Sequence, residues 1–222
     1  LKKLINGVLE FRRTKRAEVL NTFAQLALGQ SPDVLLIACS DSRVAVNVFA
    51  STDPGDMFVM RNVGNLVPPY KDVENNPASA VAAAVEFAVE RLKVGHIIVC
   101  GHSDCGAIKA MAEPTEPAEP GLRNWLRSGH PGPPQDFLEP AAEDWPEIEH
   151  HSHWNAVAQV EHLRQYPSVR KALVEGRLQL HAWWFDLHHA EVQVYVPEEK
   201  KFMVLDEEVG ERLLKKVGGT KD

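Results

Sequence analysis

The chain has 222 residues, 44% of them hydrophobic and 25% charged, a composition that suits a buried core and excludes a disordered tail or a fibre. A formal net charge of −7, from 24 Lys and Arg against 31 Asp and Glu, repels a polyphosphate backbone and points away from nucleic acid as a partner. No apolar run approaches the roughly 18 residues that cross a bilayer, and the three cysteines make no secreted disulfide framework, so a small-molecule role in the reducing cytoplasm is expected.

Residues 1–29 carry Leu4, Ile5, Val8 and Leu9, then Val19, Leu20, Phe23 and Leu26, at helical spacing among Lys and Arg, which predicts an arm of one or two amphipathic helices. The basic run Arg12–Arg16 reads as its solvated face. After a turn over Gly29–Pro32, the continuous apolar run Val34–Cys39 suits a strand buried on both faces. Pro54 and Gly55 precede a second short strand, Asp56–Arg61. Asn76 and Pro77 begin a long helix reaching about Leu92, and His96–Cys100 is a third buried strand. Glu113–His150 holds eight of the 15 prolines and nine acidic residues against two arginines, and reads as an acidic, Pro-rich insertion with little regular structure. Helices follow over Ser152–Tyr166 and Val169–Glu175, then strands over Leu178–Phe185 and Glu191–Val196, and a last amphipathic helix over Asp206–Val217. Strands separated by helices predict a single α/β domain over residues 1–222. Its central sheet is mainly parallel and flanked by helices, with the N-terminal helical arm at one end and an extra strand and helix at the other.

Two segments carry chemistry, Cys39-Ser40-Asp41-Ser42-Arg43 and Gly101-His102-Ser103-Asp104-Cys105-Gly106, each directly after a predicted parallel strand. The carboxyl ends of such strands form the crevice where ligands bind, so Cys39, His102 and Cys105 can share one ion there. Thiolate and imidazole are the ligands zinc prefers, at about 2.0 to 2.3 Å, and three of them leave one tetrahedral position open. A lone His-x-x-Cys is a weak pattern, since free cysteine is commonly core. Two strand-terminal segments, with Asp41 and Arg43 matched in charge beside one of them, form a far more specific one. The clusters His150-His151-Ser152-His153 and His188-His189 read as solvated surface.

Through those segments and Arg61-Asn62-Val63-Gly64-Asn65, the chain resembles the β-class carbonic anhydrases from about Gly29 to Ala110, and more weakly over Trp154–Asp186. The resemblance implies zinc ligands at Cys39, His102 and Cys105, an Asp-Arg dyad at Asp41 and Arg43, and a homodimer as the minimal unit, with a tetramer also open. It puts Gln30 in the substrate pocket of the neighbouring subunit, Phe58 and Val63 at apolar pocket positions, and Phe87 where the family commonly has tyrosine. Leu36 and Ala38 stand where another branch carries the Trp and Gly of an inhibitory bicarbonate pocket, which predicts that pocket to be missing. Cys100 is read as core.

The expected activity is reversible hydration of CO2 to bicarbonate and a proton with one Zn2+ per chain, a carbonate dehydratase. Zinc with a free position brings the pKa of bound water from 15.7 toward about 7. Two thiolates cancel the ion's charge and weaken its Lewis acidity, so activity is expected to rise above neutral pH. In this reading Asp41 accepts a hydrogen bond from the zinc-bound hydroxide while Arg43 fixes the carboxylate. Released by Arg43, Asp41 becomes a fourth ligand and closes the site. Phe58, Val63 and Phe87 either wall the CO2 pocket or are ordinary core, and Gly106 offers a backbone N–H to bicarbonate at a helix start. The alternatives are hydrolysis of COS or CS2 on the same scaffold, and a non-catalytic protein with a closed zinc site.

Overall fold

The computed structural model describes residues 1–75, 79–129 and 146–217. Its centre is a six-stranded sheet of β1 (Val34–Cys39), β2 (Met57–Asn62), β3 (His96–His102), β4 (Gln179–Asp186), β5 (Glu191–Val196) and β6 (Lys201–Val204), in the order β2-β1-β3-β4-β5-β6. The first four strands are parallel, and β5 and β6 add on antiparallel, as the α/β reading required.

Strands β1 and β3 are buried because they are central and apolar at successive positions. Leu35, Ile37, Ile97 and Val99 join a core with Val85, Val89, Val160, Leu163, Tyr166 and Val169. These come from α5 (Ala80–Glu86), a π-helical turn (Phe87–Leu92), α8 (Glu147–Leu163), and α9 (Pro167–Val174) with its N-cap Tyr166. Leu36, Ala38, Ile98 and Cys100 form a second cluster with Val44 and with Val46 of α3 (Val46–Phe49). Each such aliphatic side chain contributes about 1.5–3 kcal/mol by burial. Leu36 and Ala38 are thus plain core, as is Cys100, whose thiol is pushed up to about 12 by burial.

Four differences from the sequence reading stand out. The helix expected from Asn76 and Pro77 has its described start at Ala80, capped by the Ser79 side chain, which accepts from the Ala82 N–H at 3.3 Å; Asn76 and Pro77 lie outside the described residues. The helix relaxes into its π-helical turn and ends at Lys93 with φ 59. The stretch 113–150, expected to hold little regular structure, contains α7 (Pro120–Gly129), whose Trp125 and Leu126 pack on the sheet edge; its residues 130–145 are outside the description. Strand β6 was not foreseen, because four residues beside Lys200 and Lys201 show no alternation until β5 is there to pair with them.

The arm consists of α1 (Lys2–Thr14) and α2 (Arg16–Leu26), and neither has a buried residue. The remaining helices are α4 (Tyr70–Asn75), α6 (Gly106–Ala112) and α10 (Glu207–Val217). No helix among the described residues is long and apolar enough to cross a membrane.

Candidate metal centre

The register of the parallel strands builds the centre. Ala38 pairs with Cys100, so Cys39, the last residue of β1, lies one step from His102, the last residue of β3. A turn through Ser103 and Asp104 then brings Cys105 back as the cap of α6. Asp104 takes φ 57 to make that turn, a conformation Asp tolerates better than most residues. The ligand atoms of Cys39, His102 and Cys105 lie within 4.8 Å of one another, and the residues are 5%, 0% and 1% exposed. This is the trio predicted from the motifs.

His102 Nδ1 lies 2.8 Å from the Ser103 carbonyl, and that contact assigns the proton to Nδ1. The lone pair of Nε2 is then bare, buried and without a hydrogen-bond partner. A buried polar atom left unpaired is costly. A metal ion satisfies it, so the donor set fits zinc. Cys39 is drawn well below the usual thiol value by a hydrogen bond from Cys105 and by the Gly64 N–H, 3.4 Å from its sulfur. The same shared proton, together with burial, pushes Cys105 up. A bound cation would require both sulfurs as thiolates.

Asp41 and Arg43 form the expected pair. Arg43 Nε donates to Asp41 Oδ1 at 3.0 Å and Nη2 to Oδ2 at 2.7 Å, and the Arg43 backbone N–H adds a third bond at 2.9 Å. These bonds hold the Asp41 carboxyl far below the usual carboxylate range. Arg43 has a second anchor that the motifs did not reveal. Its Nη1 donates to Asp104 Oδ2 at 2.7 Å and its Nη2 to the Asp104 carbonyl at 3.1 Å, while Lys109 pairs with the other carboxylate oxygen of Asp104. Asp104 is held down to about 2 by Arg43 and then Lys109.

The loops that carry these residues are tied from several sides. Arg61 donates to the Cys39 carbonyl from Nε at 3.0 Å and Nη2 at 2.7 Å, and from Nη2 to the Asp41 carbonyl at 2.8 Å. The Asn62 side chain closes its own loop, donating to the Leu66 carbonyl at 2.9 Å and accepting from the Leu66 N–H at 2.8 Å. Gly64 needs to be glycine, since φ is +84 and a Cβ would sit 2.9 Å from that of Ala107. Behind β3, Ser152 donates to the His102 carbonyl at 2.7 Å and accepts from Trp184 Nε1 at 2.9 Å. Glu149 accepts the Asp104 N–H at 3.0 Å, its own carboxyl pushed up by burial. Asp104 and Arg61 sit inside the recognisable motifs. Ser152 and Glu149 come from α8, and nothing local to those positions announces their part.

The proposed pocket residues divide. Val63 follows β2 beside the centre and, with Ser40, Asn62 and Trp125, lines a cavity of about 690 Å³. Gly106 opens α6 next to Cys105, and a Cβ there would meet nothing within 4 Å. Gln30 precedes β1, at the opposite end from Cys39. Phe58 pairs with Leu35, about 13 Å back along the strand at roughly 3.3 Å per residue. Its ring packs on Phe87 at 5.8 Å between centroids and against the main core, so within one chain neither ring stands beside the metal centre. The histidine cluster also needs correction. His153 is 2% exposed, stacked between Trp184 and Phe202, and held down to about 3 by burial, because α8 turns that face onto the sheet.

A family model described as carbonic anhydrase matches residues 34–192. A carbonic anhydrase of Pseudomonas aeruginosa is 36% identical over 208 residues, covering 93% of this chain and 93% of that protein. One from Synechococcus elongatus is 34% identical over 197 residues, covering 86% of this chain and 70% of that one. Among solved structures, the β-carbonic anhydrase CcaA superposes with a TM-score of 0.81 at 32% identity, covering 93% of this chain and 92% of that one. A tetrameric β-carbonic anhydrase of Sordaria macrospora gives 0.70 at 29% identity, covering 87% and 95%.

Proposed function

Because the chain belongs to the carbonic anhydrase family, within its β class, and is a carbonate dehydratase by that membership, we propose that it interconverts CO2 and bicarbonate at a zinc ion held by Cys39, His102 and Cys105. The observation that carries the assignment of the ligands is the bare Nε2 of His102, buried within 4.8 Å of the sulfurs of Cys39 and Cys105. Zinc in that position supplies Lewis acidity, which brings the acidity of water into the neutral range.

The remaining work falls to this chain's own groups. Cys39 and Cys105, as thiolates, offset the charge of the ion, so turnover rises above neutral pH. Asp41 accepts a hydrogen bond from the attacking oxygen and thereby aims its lone pair at the carbon of CO2. Arg43, which occupies both carboxylate oxygens, keeps Asp41 charged, oriented and away from the metal ligands. Asp104 fixes Arg43 from its far side. Val63 lends an apolar wall, and the open space at Gly106 leaves room for the product.

The same proposal includes a homo-oligomer with a dimer as its smallest unit. Its support is the arm, which exposes Leu4, Ile5, Val8, Leu9, Phe11, Leu20 and Phe23, more apolar surface than a lone chain usually leaves in water. Gln30, at the end of the arm and far from its own metal centre, is assigned to the neighbouring subunit's pocket. A cytoplasmic site fits three unpaired thiols, two of which have to remain thiolates.

Stopped-flow CO2 hydration by protein assayed for zinc tests this reading. One zinc per chain, with turnover inhibited by a small anion, is the expected result. Stoichiometric zinc without hydration identifies a closed, structural site, and faster release of sulfide from COS than hydration of CO2 moves the substrate to the sulfur analogues.

A further inference from the structure

A single peptide group links the sulfur of Cys39 to a helix outside the recognised motifs. The Gly64 N–H lies 3.4 Å from Cys39 Sγ, and the carbonyl of that same peptide, Val63 O, accepts from Trp125 Nε1 at 2.7 Å. Trp125 belongs to α7, in the Pro-rich stretch that has no other evident task. A donor on the oxygen of an amide draws electron density away from its nitrogen and makes the N–H a better donor. Such chains strengthen each bond by roughly 10–30%. Hydrogen bonds to a coordinating sulfur lower the charge it donates, one of the means by which a protein tunes a bound metal.

The surroundings hold this relay in line. The Gly64 carbonyl is occupied by Asn155 Nδ2 at 3.1 Å, and the positive φ at Gly64 sets the direction of its N–H. Helix α7 is pinned where it ends, because the Gly129 carbonyl accepts from Gln159 Nε2 at 2.9 Å and Leu66 fills the space that Gly129 leaves. The Trp125 ring packs on both the main core and the cluster that contains Cys39 and Cys105.

We propose that Trp125 is a positioning residue for the metal ligand Cys39: acting through the Val63–Gly64 peptide, it strengthens the N–H···S bond and so sets how much charge this thiolate gives to the ion. The proposal rests on the zinc reading above. It gives the insertion helix a role in the reaction.

Trp125→Phe keeps a ring against Leu66 and removes only the donor. In protein loaded with cobalt(II), the thiolate-to-metal charge-transfer band of this variant moves to lower energy, and neutral-pH turnover of its zinc form drops about tenfold. A change confined to packing lowers turnover without moving the band. In wild-type protein loaded with an NMR-active cadmium isotope, the Gly64 amide proton shows scalar coupling to the metal nucleus across the N–H···S bond, a measurement that needs no variant to fold. An unmoved band in Trp125→Phe, or no coupling at Gly64 in protein that binds one ion per chain, overturns the proposal. Failure of the wild-type chain to bind metal overturns the zinc reading instead.

Discussion

At the carboxyl edge of β1 and β3, the three ligand residues are no more than 5% exposed, and their loops are tied to β2, α7 and α8 by named hydrogen bonds. At the amino end of the chain, α1 and α2 have no buried residue, and Leu4, Val8 and Phe23 are 70%, 66% and 48% exposed. One region is fixed many times over, and the other is held by almost nothing within its own chain. The difference shows where each finds its partners. The metal edge takes its three ligands and the bonds that converge on Cys39, His102 and Arg43 from one chain. The arm carries an apolar stripe whose burial has to come from another surface.

The largest effect should come from the edge. Cys105→Ser removes one of the three protein ligands. Zinc stoichiometry measured by atomic absorption should fall well below one per chain, and turnover should fall further than the roughly 100-fold typical of losses around, and not in, a ligand set. Arg43→Ala removes both side-chain bonds to Asp41 and leaves only the backbone N–H of residue 43 on Oδ1, and kcat/KM for CO2 should drop on the order of 100-fold with zinc retained. Unchanged turnover would remove the pair from the mechanism.

Further back, Ser152→Ala strips the His102 carbonyl of its donor and Trp184 Nε1 of its acceptor, all of them buried. Urea unfolding should register about 1–3 kcal/mol of lost stability. Asp104 is a subtler case. Its folded pKa, about 2, lies below its ordinary value of 3.8, so its pairing with Arg43 and Lys109 stabilises the fold above pH 4 and ceases to do so as pH falls through 2. With the carboxylate 39% exposed, solvent screening keeps that contribution below about 1 kcal/mol. The stability gap between wild type and Asp104→Asn should therefore be constant near neutral pH and vanish in acid.

The smallest effect on the fold should come from the arm. Val8→Asp is expected to change unfolding free energy within one subunit by under about 0.5 kcal/mol. It should nonetheless shift sedimentation toward the monomer. If it leaves the association state alone, the exposed stripe has some other use and the contrast between the two regions loses its explanation.

The parallel strands β1 and β3 were legible in the sequence because burial on both faces leaves an uninterrupted apolar run, and so were the ligands, which sit at the ends of those runs. Asp41 and Arg43 were legible as opposite charges beside a strand-terminal cysteine, and their pairing as what the family resemblance implies. Residues whose contribution depends on elements far apart in sequence were not. Ser152, Glu149 and Trp125 look like ordinary members of helices until α8 and α7 are laid against β3 and the loop after β2. His153 misled for the same reason: a histidine between two others reads as wet surface, and only the packing of α8 shows that it is enclosed by aromatic rings.

What this sequence determined by itself was the chemistry available at each strand end and the alternation that makes a parallel sheet, both set by neighbours along the chain. The tertiary structure alone decided which proton His102 keeps, which carbonyls hold the metal loops in place, and how far Phe58 and Gln30 lie from the centre. Those depend on strand register and on helices crossing the sheet, where atoms distant in the chain come within a hydrogen bond of one another.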